Sequence, residues 1–171
     1  PLSADLNCMR QTLLFGGLEN ISYNINRKNP NLAFYEFGNC YYYNGKAEQT
    51  AENPLKPYSE DYHLGMWLTG MKSEQNGAQA QQKASFYTLR AYVNNIFKRL
   101  GIKQEKTRVV EYSDDLLSYG LQITTSNGKV LVTLGIVSKD LCKKMDISQE
   151  VEYAAVNWTA LMGEMKNHNV T

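Results

Sequence analysis

The stretch Asn31-Leu32-Ala33-Phe34-Tyr35-Glu36-Phe37-Gly38 decides how the first part of this chain folds. Pro30, just before it, disfavours a helical conformation at the preceding residue, so we expect an upstream helix to end before Asn29-Pro30. The residues from Leu32 to Tyr43 are rich in aromatic side chains, which are enriched in β-strands. We therefore predict a strand over 32–43 and, before it, a helix that begins near Leu14.

The rest of the chain continues the alternation of strands and helices. The elements predicted after residue 43 are a polar loop over 44–61, a strand over 63–69, a mobile loop over 75–82, a helix over 86–100, a strand over 109–112, two strands over 121–124 and 130–134, a helix over 138–145, a strand over 151–156 and a helix over 158–165. Asn127-Gly128 predicts a tight two-residue turn between the paired strands. The second strand is too apolar for an exposed edge.

Strands outnumber the helices that could cross between parallel neighbours, which favours the α+β class. We expect an antiparallel sheet flanked by helices, with the helices on one side. At 43% hydrophobic and 11% aromatic residues the composition is sufficient for a packed core. We predict that residues 1–171 form a single domain. The chain starts at Pro1 without an initiator Met, so we expect a part of a longer protein.

Charge and cysteine content limit the class of protein. Eighteen basic and 17 acidic residues leave a net charge of +1, which argues against a general nucleic-acid binder but leaves a local basic patch open. Cys8, Cys40 and Cys142 have neither metal-site spacing nor an even number, so we expect free thiols in a reducing compartment. No apolar run approaches the roughly 20 residues of a membrane helix. We predict a cytoplasmic protein without a membrane partner.

The sequence offers no constellation for catalysis, and we predict no catalytic, cofactor-binding or metal-binding residue. His63 and His168, the two histidines, are far apart in sequence, and a zinc site needs ligands at short, paired spacings. We interpret His63 as a packing or hydrogen-bonding residue, and Cys40 and Cys142 as small buried side chains. The chain contains no nucleophile elbow and no phosphate-binding glycine loop; Gly16-Gly17 is interpreted as an irregular helix start.

Two groups of side chains leave alternatives open. Glu36 either faces solvent or pairs with a cation, for which Arg10 is a candidate, because a buried carboxylate requires a partner. The tyrosines of the first strand and the following segment could stack nucleic-acid bases, but cross-strand packing or a protein interface is favoured because few cations accompany them. These tyrosines are Tyr41, Tyr42, Tyr43, Tyr58 and Tyr62, and the cations of the loop are Lys46 and Lys56. The lysines at 139, 143 and 144 are expected to form a solvated face.

Several short motifs follow one another in a distinctive order. They are Pro1-Leu2-Ser3, Met9-Arg10, Phe34-Tyr35-Glu36-Phe37-Gly38, Leu68-Thr69-Gly70, Phe86-Tyr87, Leu100-Gly101 and Leu134-Gly135-Ile136. In this order, and over nearly the whole chain to Met165, they resemble the catalytic-like core of the bacterial phenylalanyl-tRNA synthetase beta subunit. The chain departs from the family at Gly135-Ile136-Val137-Ser138-Lys139, where Gly-Glu-Ile/Leu-His-Pro is usual.

The resemblance implies a class II aminoacyl-tRNA synthetase-like fold in a non-catalytic domain. It further implies a heterotetramer of two alpha and two beta subunits that charges tRNA with phenylalanine, using ATP and magnesium held outside this domain. Catalytic class II domains use an arginine in the paired strands and another at the start of the last helix to hold ATP. This chain has no arginine between Leu32 and Tyr43, nor in its last hairpin or helix. We therefore expect a structural domain that supports the alpha subunit.

Two other hypotheses remain at this stage. One is a free-standing class II-like enzyme that activates an amino acid with ATP. The other, which the sequence favours less, is an RNA-binding module that uses the tyrosines of 41–43.

Overall fold

The computed structural model describes residues 9–46, 54–72, 82–83 and 86–168. The helices of this part are α1 Leu14–Asn26, α2 Phe86–Arg99, α3 Lys139–Lys144 and α4 Trp158–His168, with a 3₁₀ turn at Gln104–Lys106. Its strands are β1 Leu32–Tyr43, β2 Tyr58–Thr69, β3 Met71–Lys72, β4 Gln82–Lys83, β5 Thr107–Tyr112, β6 Leu117–Thr125, β7 Val130–Val137 and β8 Val151–Asn157. Cys8 and nearly all of the predicted 75–82 loop lie outside the described residues.

The architecture is a six-stranded antiparallel sheet with strand order β1-β2-β8-β7-β6-β5, beside a short β3-β4 pair. The predicted α+β class is confirmed. As the apolar sequence of β2 predicts, that strand lies in the interior of the sheet, hydrogen-bonded to β1 and to β8. Among the described helices none is long and apolar enough to cross a membrane.

Helices cover both faces of the sheet, so the expectation of helices on one side was wrong. Leu64, Met66 and Leu68 of β2 pack with the apolar residues of α2 and α4. Trp67, between them in sequence, belongs to a second core with α1 and α3. Because successive strand residues point to opposite faces, the uninterrupted apolar run in β2 requires cover on both sides. The sheet therefore separates two hydrophobic cores.

Element boundaries agree with the prediction at β1 and differ at β2. The loop predicted over 44–61 ends earlier, because β2 begins at Tyr58 and pairs there with Tyr43. The added residues are polar or exposed and carry no apolar alternation. Their backbone is held by the ladder to β1, which extends the hairpin beyond the core. Pairing with β1, and not the local sequence, decides where this strand starts.

Four residues, Ser126-Asn127-Gly128-Lys129, connect β6 to β7, and not the predicted two. The Gly128 amide donates to the Thr125 carbonyl (2.9 Å), and the Thr125 amide donates to the Lys129 carbonyl (2.9 Å). Only Gly128 has a positive φ, at +84°, whereas a two-residue Asn-Gly turn needs a positive φ at both positions. The geometry is that of a type I turn followed by a left-handed glycine.

Candidate functional site

The start of the last helix, α4, lies against the hairpin β1–β2. By the resemblance, these are the two places where catalytic class II domains carry the arginines that hold ATP. Asn157 caps α4, since its Oδ1 accepts from the Ala160 amide (2.9 Å), and its Nδ2 donates to Asp61 Oδ2 (3.1 Å). The Tyr62 amide donates to Thr159 Oγ1 (2.8 Å). These contacts fix the helix start against β2.

Aromatic rings occupy this junction. The Phe37 ring stacks on Tyr62, with centroids 5.7 Å apart and planes at 13°, and meets Trp158 edge to face at 5.3 Å. Tyr35 contacts Phe37 edge to face at 6.2 Å. Neither β1, β2 nor α4 contains an arginine, the cation suited to bidentate phosphate binding. Aromatic rings, and not arginines, therefore line this junction.

Exposed rings lie along the same face of the hairpin in two groups, and together with the half-buried Trp158 they form what we call the aromatic surface. Its members are Tyr35, Phe37, Tyr43, Tyr58, Tyr62 and Trp158. Tyr35 is 69% exposed and Phe37 40%. Tyr43 packs on its cross-strand partner Tyr58 with centroids 5.1 Å apart, which confirms the predicted cross-strand packing. A groove of about 530 Å³, lined by the exposed Met9 and Leu55, lies beside the far end of this surface.

The opposite face of the hairpin is filled by Trp67. Its indole is fully buried, stacks on Phe34 with centroids 5.0 Å apart and contacts the tilted ring of Tyr153 at 5.1 Å. Helix α1 lies over it, with Leu14 and Leu18 in the same core. This side of the first hairpin is therefore occupied by packed side chains.

Glu36 pairs with Arg10, the candidate partner named from the sequence. Arg10 Nη1 lies 2.9 Å from Glu36 Oε1, and both side chains are nearly half exposed. The Arg10 Nε also donates to the Asn39 carbonyl (3.1 Å), while the Arg10 carbonyl accepts from the Tyr41 amide (2.9 Å). Arg10 thus holds the segment before α1 against the free edge of β1, which is a structural role.

The histidine and the thiols have the environments that the sequence predicted. His63 Nε2 and Tyr42 Oη share a hydrogen bond of 3.1 Å. Burial lowers the pKa of His63, although Asp61 opposes this shift, so the ring is neutral at pH 7. Burial is also the main cause that raises the pKa values of the Cys40 and Cys142 thiols, which disfavours the reactive thiolate. The side chains of Lys139, Lys143 and Lys144 are exposed, as expected.

The sequence did not predict the whole aromatic surface. It singled out Tyr43, Tyr58 and Tyr62 but not Tyr35, Phe37 or Trp158. The available signal was the period of two in β1, which places aromatic residues 35, 37, 41 and 43 on one face. Within the described ranges, no three or more His, Cys, Asp or Glu side chains come together as metal ligands would.

Comparisons with known proteins identify relatives along the whole chain. The model of a family described as "Phenylalanyl tRNA synthetase beta chain CLM domain" matches residues 1–158. The chain is 51% identical over 171 residues to the phenylalanine–tRNA ligase beta subunit of Bacteroides fragilis, and 39% identical over 170 residues to that of Porphyromonas gingivalis. The two matches include 100% and 99% of this chain but only 21% of each relative. The chain therefore spans about a fifth of the length of these relatives.

A solved structure shows the same fold. The chain superimposes on a pyrrolysyl-tRNA synthetase from Desulfitobacterium hafniense with a TM-score of 0.63, over 94% of this chain and 51% of that one. At 14% sequence identity the likeness concerns the fold alone, and it confirms the class II synthetase-like architecture. The family model, the relatives and the shared fold agree with the family that the sequence motifs resemble. The chain belongs to the phenylalanyl-tRNA synthetase beta chain CLM domain family.

Proposed function

We propose that this chain is a structural and assembly domain of a phenylalanine–tRNA ligase beta subunit. In this proposal residues 1–171 form one domain of a longer cytoplasmic protein. The complete enzyme is a heterotetramer of two alpha and two beta subunits, which uses ATP and magnesium to charge tRNA with phenylalanine. The domain itself contributes no catalytic, cofactor-binding or metal-binding residue, and it supports the alpha subunit by contact.

The observation that carries the proposal is the aromatic surface. Five large aromatic side chains lie exposed on one face of the first hairpin, in two contacting groups: Tyr35, Phe37 and Tyr62, and Tyr43 with Tyr58. Exposed apolar patches of this kind mark protein–protein contacts, and tyrosine, phenylalanine and tryptophan are enriched in interface cores. The same junction lacks the arginines that a phosphate-binding site would use. An interface explains both features.

Co-purification of the complete beta subunit with the alpha subunit of the same organism tests the proposal. Phe37→Ser together with Tyr62→Ser should weaken the association at least about tenfold, because centrally placed aromatic residues contribute most of the binding free energy. Tyr87→Ser is the control, since Tyr87 is a still more exposed aromatic residue and lies on α2, not on the hairpin. Equal affinities for both variants and the unsubstituted protein would contradict the proposal.

A further inference from the structure

A strongly basic segment lies at the end of the sheet away from the aromatic surface. Between residues 98 and 108 the chain has five cationic side chains and one carboxylate, that of Glu105. The cations of this basic segment are Lys98, Arg99, Lys103, Lys106 and Arg108. The segment carries a charge of +4 although the whole chain carries +1, so the other residues together carry −3. The near-neutral total conceals this asymmetry.

The fold presents the segment at one corner of the molecule. Helix α2 ends at Arg99, and the chain turns at Gly101, whose φ is +70°. The buried Ile102 anchors the turn, with its amide donating to the Phe97 carbonyl (3.0 Å). The 3₁₀ turn then leads into β5, the edge strand of the sheet. The cations follow a helix end, a turn and a sheet edge in direct succession.

Four of these cations have exposed side chains. Lys98, Arg99, Lys103 and Arg108 are exposed. None of these four takes part in the ion pair of the described residues, which joins Arg10 to Glu36 at 2.9 Å. Four cations of the segment are therefore available for an external anion.

Local stabilisation explains only some of these residues. Cations in the last turn of a helix interact favourably with its dipole, which accounts for Lys98 and Arg99, but this effect falls off within that turn. A charged residue on an edge strand discourages strand pairing, which accounts for Arg108. Neither effect calls for Lys103 in the connecting turn, nor for the excess of positive charge over the whole segment.

The composition of the segment favours a phosphate backbone over a protein surface. Lysine is depleted in protein–protein interfaces, whose cores are enriched in aromatic residues. Residues 98–108 contain three lysines and two arginines but no aromatic residue. Lys and Arg side chains that neutralise phosphates supply most of the sequence-independent affinity for nucleic acid. We propose that the basic segment contacts the phosphate backbone of RNA, which under the proposed function is the tRNA to be charged.

Salt-dependent binding of fluorescently labelled phenylalanine tRNA to the complete ligase tests this proposal. The test variant is Lys103→Ala with Arg108→Ala, and the matched control is Lys143→Ala with Lys144→Ala, which removes two exposed cations from α3. The slope of log K against log salt should become shallower by roughly 1.5 in the test variant, since each lost phosphate contact removes about 0.7–0.9. We expect Kd at 0.1 M salt to rise about 3- to 10-fold, and Lys103→Glu with Arg108→Glu to raise it further. The control should keep the original slope.

An unchanged slope in both test variants, with folding verified by circular dichroism, would overturn the proposal. Loss of alpha-subunit association at an unchanged slope would also overturn it, because the segment would then be a protein-docking surface. Should the unsubstituted subunits fail to associate, the proposed assembly role is wrong, and the same titration on the complete beta subunit still decides whether the basic segment binds RNA.

Discussion

The Trp67 indole packs closely against the backbone of two glycines and against two aromatic rings. A Cβ atom on Gly17 of α1 would overlap the indole, and one on Gly65 of β2 would also be too close to it. Phe34 and Tyr153 hold the indole from the sides. The helix can approach the sheet closely only because Gly17 has no side chain.

Gly17→Ala should therefore destabilise the chain by at least about 2 kcal/mol, because an overlap in a packed core forces strain on its neighbours. Gly16→Ala is the control: nothing lies within 4 Å of its added Cβ, and alanine is the better helix former by about 0.5–1 kcal/mol. Urea unfolding monitored by tryptophan fluorescence measures both changes. Equal shifts of the two midpoints would refute the role assigned to Gly17.

The sequence predicted the residue-scale features that depend on a residue's own chemistry. His63 as a hydrogen-bonding residue and the burial of Cys40 and Cys142 were of this kind. The role of Gly17 was not predictable, because the indole it contacts comes from a strand 50 residues later in the sequence. A pair of glycines near a helix start carries no signal of such a contact.

At the scale of elements, the turn between β6 and β7 shows how backbone geometry selects a residue. The register shifts between Ile123 and Thr124, and the four-residue connection places Gly128 in the left-handed region. No atom lies within 4 Å of a Cβ at this position, so the requirement for glycine is conformational alone. This separates Gly128 from Gly17, which is required for space.

Gly128→Ala should cost about 1–2 kcal/mol of unfolding free energy, the penalty for an L-residue with a side chain in the left-handed region. Gly128→Asn should cost less, because asparagine tolerates this region better. Thermal or urea unfolding of the two variants gives the comparison. A smaller loss for alanine than for asparagine would show that another factor decides the turn.

β1 was predicted to the residue, whereas the other strands differ from their predicted bounds at one end or both. β1 has the predicted bounds because aromatic residues fill it and Pro30 precedes it. β2 starts at Tyr58, five residues before the predicted His63, since its first part is held by pairing with β1. The two-residue turn failed because Asn-Gly also fits a longer loop in which only glycine has a positive φ.

At the scale of the whole molecule, the sheet separates two surfaces of different chemistry. The aromatic surface lies at the β1 end and the basic segment at the β5 end of the six strands. With about 4.8 Å between neighbouring strands, the two edges are roughly 24 Å apart. A protein partner and an RNA partner could thus contact the domain at once. The sequence did not predict this separation, since strand order brings β8 between β2 and β7.

Side chains fill both faces of the hairpin β1–β2, which bears on the rival hypothesis of an amino-acid-activating enzyme. Trp67, Phe34 and Tyr153 occupy one side of the first hairpin, and the aromatic surface occupies the other. The paired strands and the last helix also lack arginine, so ATP phosphates would meet no bidentate cation there. From both observations we expect the domain to bind neither ATP nor phenylalanine.

Calorimetric titration of this chain with ATP and magnesium, and then with phenylalanine, should give no binding heat up to about 1 mM ligand, a concentration that would detect a binding free energy near −4 kcal/mol. The alpha subunit of the same organism, titrated in parallel, serves as the positive control, since the proposed function assigns both ligands to it. Trp67→Ala should open a cavity in the packed core, but we expect the variant to bind no ATP either. A cavity supplies none of the arginines that would hold the phosphates. Saturable heat with ATP in the unsubstituted chain would instead favour the free-standing enzyme.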